Sequence, residues 1–306
     1  LVVLSAGFSV LLAGSLSWLI LAGLGVTIPL LYGFLFGALI APTDPLVVRG
    51  LLARASVAPE LQHRMTGESV LGGGIAVVLF VVLLTMGAAP GIALAAELLL
   101  WQVGGSLLLG LLIGLLAYFL LRQIDHYQVE ALILLALVAG GLVLAEHGQL
   151  SGPLTLLAAG LVLGNHGRLL AMSEKTRRHL HDFWELIGGL ANAVLLMLLG
   201  LELMLPGLRA EYLLAALAIL PLLLLVRFVA VGLPITGLRR FRPQVPGTVQ
   251  IMSWGGVRGG ISVALVLSLP ASVARDALVL MTAVVVIFSV LVQGLTFRAL
   301  VRRLGE

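Results

Sequence analysis

Gly37-Ala-Leu-Ile-Ala-Pro-Thr-Asp-Pro-Leu46 interrupts an apolar run with two prolines that flank Thr43 and Asp44. Proline lacks a backbone N–H and drives the residue before it out of helical geometry, so the pattern predicts a helix broken near its middle. Free amide and carbonyl ends at membrane depth are tolerated only where they are buried or line a cavity, and such ends coordinate ions in secondary transporters. Asp44 can neutralise the exposed positive helix ends. The alternative is a proline kink with Asp44 at a loop edge.

A second interruption lies in Ser253-Trp-Gly-Gly-Val-Arg-Gly-Gly-Ile-Ser262. Four glycines around Arg258 in an apolar run suggest an opened helix whose carbonyls the guanidinium satisfies. The alternative is a glycine-rich helix contact with Arg258 snorkelling to an interface. One interrupted helix in each half points to an inverted-repeat transporter. Two further charges lie in or beside apolar runs, Glu68 in Gly67-Glu-Ser-Val-Leu-Gly-Gly-Gly-Ile75 and Arg227 in Leu222-Leu-Leu-Leu-Val-Arg-Phe228. Pairing them would relieve both desolvation penalties and serve specificity more than net stability. Glu68 as an exposed N-terminal cap is the alternative.

Moving outward, the 306 residues are 60% hydrophobic and only 10% charged, with a mean hydropathy of +1.17. A soluble domain carries about 25% charged residues. Apolar runs of membrane-spanning length recur at 1–22, 29–52, 69–87, 98–121, 129–145, 151–165, 184–205, 211–236, 248–269 and 276–299, predicting an all-α polytopic membrane protein of ten helices. The basic residues test that count. Fourteen of the 18 Lys and Arg fall in alternate connections and at the C-terminus, the opposite loops hold only Arg209 and Arg275, and Arg227 and Arg258 lie within spans. By the positive-inside rule both ends face the cytoplasm. The polar stretch from Arg168 to Asp182 suits an interfacial helix. The chain therefore reads as one transport domain, with a first half at 1–165, a cytoplasmic linker at 166–183 and a second half at 184–306.

Absent cysteines exclude disulfides and thiolate sites. The pI near 10.1 does not imply nucleic acid, because the basic residues sit in short loops as topology determinants. The chain shows no nucleophile–base set, metal-ligand cluster or phosphate loop, so an enzyme and a cofactor are not expected. The six histidines read as solvated loop residues, Asp125 with Glu130 as a solvated loop edge, and Glu202 and Asn192 as facing a helix interface.

Pro42-Thr-Asp-Pro45, Gly67-Glu-Ser69, Arg227 and Ser253-Trp-Gly-Gly-Val-Arg-Gly-Gly260 together resemble the bacterial NhaP-type antiporters of the monovalent cation:proton antiporter-1 family. Ser151-Gly-Pro, Gly164-Asn-His-Gly-Arg168, His181-Asp-Phe-Trp-Glu-Leu-Ile187 and Leu198-Leu-Gly-Leu-Glu202 add to the likeness. The resemblance implies a homodimer in a bacterial inner membrane that exchanges sodium or lithium for protons by alternating access and serves pH homeostasis, with potassium left open. It also implies that roughly the first three spans of the family are missing here. By the same analogy Thr43 and Asp44 belong to the first of two crossed broken helices and Arg258 to the second, Glu68 pairs with Arg227, and Ser69 offers an ion ligand.

The family motif continues from Gly-Glu-Ser through two apolar residues to Asn-Asp, and here Val70 and Leu71 lead to Gly72 and Gly73. A second acidic pair of the family is likewise Gly188 and Gly189. Exchange works when one buried carboxylate binds a proton or a cation but not both. Without it, only hydroxyl and backbone oxygens remain, which hold a hard cation weakly, so Thr43, Asp44 and Ser69 form at best a weak monovalent-cation site. Coupling is expected to fail unless Asp44 or Glu68 substitutes. A non-transporting scaffold or sensor, or an uncoupled ion pathway, are the rival expectations.

Overall fold

The two prolines divide the second apolar run as their chemistry requires. In the computed structural model α2 (Leu30–Ile40) ends just before Pro42, and α3 (Pro45–Arg54) starts with Pro45 in its first turn and Asp44 as its N-cap. Proline suits that first position because its missing N–H would have no helical partner there. The glycine-rich run splits similarly into α11 (Thr248–Trp254) and α12 (Gly260–Leu267), with 255–259 unwound between them.

The structure describes residues 2–55, 57–88, 91–124, 126–164, 174–204, 209–238 and 247–304, and among these there is no strand. The remaining helices are α1 (Val2–Gly23), α4 (Pro59–Ala88), α5 (Ile92–Leu99), α6 (Gly105–Leu121), α7 (Tyr127–His147), α8 (Gly152–Val162), α9 (Glu174–Glu202), α10 (Ala210–Leu238), α13 (Val273–Phe288) and α14 (Gly294–Leu304). Leu100–Gly104 and Ser289–Gln293 are π-helical turns. Eight helical stretches are long and apolar enough to cross a membrane, and with α8 and the α11–α12 pair they correspond one for one to the ten predicted runs.

Boundaries differ from the sequence reading at two places. The third helix begins at Pro59, so Glu68 lies well inside it rather than at its cap. The seventh begins at Glu174, so residues 174–182 of the polar stretch and the following span form one continuous helix. The first part of the linker, 166–173, lies outside the described residues, as do Asp125 and the basic residues Arg239, Arg240 and Arg242.

The chain forms two compact units. One comprises Leu1–Phe80 with Ala191–Glu306, the other Val81–Leu190. In the first, α1 packs along α2 and α10, α2 meets α12 and α13, and α14 packs on α3 and α11. The α1–α2 crossing depends on small residues: a Cβ on Gly37 would stand 2.3 Å from the Val10 carbonyl oxygen, and one on Gly33 2.7 Å from that of Gly14. Small residues let membrane helices approach backbone to backbone, where lipid offers no hydrophobic drive to bring them together. Gly37→Ala is therefore expected to cost about 1–3 kcal/mol by overpacking against an atom that cannot rotate away. Thermal unfolding in detergent measures it, and an unchanged midpoint would mean that the two helices slide apart freely.

In the second unit α6, α7 and α8 pack together. The outer face of α6 exposes Leu107, Leu108, Leu111, Leu112, Leu115 and Phe119, a stripe that lipid rather than water can cover. Glu130, read as a solvated loop edge, is instead wholly buried. The helix starts at Tyr127, earlier than the hydropathy pattern suggests, and its first turn carries Glu130 inward. His63, His147, His179 and His181 lie on helices rather than in loops, and His179 stacks on Tyr127 with ring centres 4.7 Å apart.

Candidate functional site

The two unwound segments meet in the first unit. The Asp44 backbone N–H donates to the Val257 carbonyl at 2.9 Å, tying the two breaks together directly. Asp44 Oδ1 accepts from Leu46 N at 2.9 Å and Val47 N at 3.3 Å, the opening amides of α3. Its other oxygen, Oδ2, accepts from Gly260 N at 2.9 Å, the first amide of α12. One carboxylate therefore closes the amino ends of two half-helices, each carrying roughly half a positive charge. Gly259 permits the approach, because a Cβ there would lie 2.1 Å from Asp44 Oδ2. Asp44 and its neighbour Thr43 are each only 4% exposed.

Arg258 occupies the second break and donates from Nη1 to the Gly256 carbonyl. A carbonyl freed by unwinding thus gains a charged donor within the same segment. Arg227 Nη2 donates to Glu68 Oε1 at 2.6 Å, a short charge-assisted contact between two nearly buried side chains. The two guanidinium groups converge: a Cβ on Gly256 would stand 2.7 Å from Arg227 Nε and 3.0 Å from Arg258 Nη1. Only glycine fits at that position.

Ser69 is fully buried on α4, and its hydroxyl donates to the Thr66 carbonyl at 2.9 Å. Four residues further on, a Cβ at Gly73 would meet Ile261 Cδ1 at 3.3 Å, so Gly73 faces the first turn of α12 beside Gly260. Gly72 is half-buried on the same helix. Gly189 lies in the other compact unit, with open space where its Cβ would be. Among the described residues no three His, Cys, Asp or Glu side chains gather as a metal site.

Several polar residues of this region were not assigned by sequence reasoning. Gln293, 3% exposed, accepts at Oε1 from the Ser289 hydroxyl at 2.7 Å and donates from Nε2 to the Trp254 carbonyl at 3.2 Å. The π-helical turn containing Gln293 turns this amide onto the carboxyl end of α11. Such turns often mark functional positions. The available signal was an amide in the midst of an apolar run. Asn192 Oδ1, buried and without a hydrogen-bond partner among the described residues, would stand 2.5 Å from a Cβ on Gly260. Arg275, counted among loop residues, forms an ion pair with Glu202.

Comparison with known proteins gives a consistent result. The family described as "Sodium/hydrogen exchanger, transmembrane" matches residues 1–303. The chain is 43% identical over 298 residues to the Na(+)/H(+) antiporter NhaP of Pseudomonas aeruginosa, covering 95% of this chain and 70% of that protein. It is 35% identical over 286 residues to the Na(+)/H(+) antiporter NhaH of Halobacillus dabanensis, covering 91% and 70%. Among solved structures, the sodium proton antiporter MjNhaP1 from Methanocaldococcus jannaschii superposes with a TM-score of 0.77 over 99% of this chain and 77% of that one, at 20% identity, a likeness of fold.

Proposed function

This chain belongs to the transmembrane sodium/hydrogen exchanger family, and from that premise we propose that it is a multi-pass exchanger for sodium or lithium against protons whose coupling site has lost its carboxylate. The family is one of secondary transporters rather than enzymes. The carrying observation is the commitment of both candidate replacement acids. Asp44 spends its two oxygens on three backbone amides, and Glu68 is held by Arg227. An acid that must alternate between proton and cation cannot also be the fixed counter-charge of two helix ends.

In this reading Gly72 and Gly73 stand at the family's Asn-Asp positions. Thr43 and Ser69 supply hydroxyl oxygens, Asp44 and Arg258 hold the opposed ends of the broken helices, and the buried Asn192 Oδ1 adds a further oxygen. Neutral oxygens bind a monovalent cation weakly, and none carries a proton across. Potassium as a further cargo, a homodimer, a bacterial inner-membrane location with cytoplasmic ends, a role in pH homeostasis, and the division into halves about 166–183 belong to the same proposal.

The test is proton flux in proteoliposomes with an acid interior and sodium, lithium or potassium added outside. The chain as it stands should dissipate the gradient no faster than protein-free vesicles, whereas Gly72→Asn with Gly73→Asp should do so at least about 100-fold faster, the lower end of one group's contribution to proton transfer. A Cβ introduced at position 73 meets only the flexible end of Ile261. Equal, cation-dependent rates in the two forms would show that another acid carries the proton.

A further inference from the structure

Within the first unit, Arg227, Ser253 and Arg258 line a cavity of about 20 Å³, otherwise walled chiefly by apolar side chains such as Leu223, Val285 and Phe288. That volume has room for about one water-sized occupant. Its unmet hydrogen-bonding groups are a pure donor and a hydroxyl that can donate or accept. Arg227 Nε and Ser253 Oγ are buried with no partner among the described residues, on side chains of residues 8% and 7% exposed. The other polar lining groups are already engaged with the protein. Ser289 donates to Gln293, and Gln293 donates to the Trp254 carbonyl.

Charge points the same way. Among the described residues no carboxylate lines the cavity, while two guanidinium groups do. Glu68 answers Arg227 through Nη2 and leaves Nε free to point elsewhere. Arg258 meets the partial charge of the Gly256 carbonyl. A water placed here could donate to the Ser253, Ser289 or Gln293 oxygens, but it would bring no charge to the two guanidinium groups. A monoatomic anion only accepts hydrogen bonds, and it brings negative charge to a site where two cations converge.

We infer that this cavity binds one halide ion, chloride under cellular conditions, held by Arg227 Nε, the Arg258 guanidinium and the Ser253 hydroxyl. The ion acts as a structural counter-charge across Gly256 and makes the stability of the broken-helix region depend on chloride. The inference does not rest on the exchange reading, because binding is measured without transport.

The experiment uses the whole purified chain in detergent. Thermal unfolding is followed while sodium gluconate is replaced by sodium chloride, sodium bromide or sodium sulfate at constant ionic strength. Chloride and bromide should raise the midpoint saturably by a few degrees, as expected for a ligand that binds only the folded state, whereas sulfate should give only the gradual, non-saturating rise of an excluded salt. Ser253→Ala, which removes one donor without adding bulk, should raise the half-saturating halide concentration about tenfold. Crystals grown in bromide provide a readout on the unsubstituted chain, with an anomalous peak expected within hydrogen-bonding reach of Arg227 Nε. A midpoint that follows ionic strength alone, or a cavity occupied by water only in the bromide crystals, would overturn the site.

Discussion

Asp44→Asn is expected to abolish the cation-dependent flux of the Gly72→Asn, Gly73→Asp form and to lower its stability by about 2–5 kcal/mol through the loss of charge-assisted hydrogen bonds at two helix ends. Asparagine keeps one carbonyl oxygen, enough to cap either α3 or α12 but not both. Its amide group must then face a backbone N–H, donor against donor, at Leu46 or at Gly260. Each hydrogen bond to a charged group contributes about 1.5–3 kcal/mol, and the two helix ends lose in addition the charge that offsets their dipoles. Scanning fluorimetry in detergent gives the stability and the proteoliposome assay gives the flux. A variant that unfolds with the parent and still exchanges would remove Asp44 from its place as the shared cap.

The second large effect concerns the buried ion pair. Glu68→Ala should destabilise by about 3–5 kcal/mol, because it leaves the Arg227 guanidinium buried without its carboxylate and facing Arg258 across Gly256. Replacing both partners, Glu68→Leu with Arg227→Met, should cost far less, since two apolar side chains require no compensation. The cycle of Glu68→Leu, Arg227→Met and their combination would then show a coupling energy above about 2 kcal/mol. Additive losses would mean that the pair is screened by water and fixes no geometry.

Legibility in the sequence followed the range over which each signal acts. The prolines around Asp44 and the glycines around Arg258 are local chemistry, and both breaks lie where those residues stand. Hydropathy located every span but blurred the helix starts, because it does not register polar residues that continue a helix beyond the apolar run, as at Pro59 and Glu174. Glu130 was misread for a related reason. Polarity near the end of a run suggests solvent, yet the direction in which a side chain leaves its helix depends on what packs there. Gln293 was overlooked because a single amide scarcely lowers the hydropathy of its run.

Local chemistry sufficed for the membrane class, the succession of apolar helical runs and the positions of both helix breaks, because apolar length, proline and glycine act within a few neighbouring residues. Tertiary structure alone decided that one carboxylate serves two helices, through a hydrogen bond between residues 216 positions apart. It also decided that two guanidinium groups share the face of one glycine, and that an amide from a π-helical turn holds the end of α11. Those arrangements depend on segments far apart in the chain coming within hydrogen-bond reach, a distance that hydropathy and local residue preference do not encode.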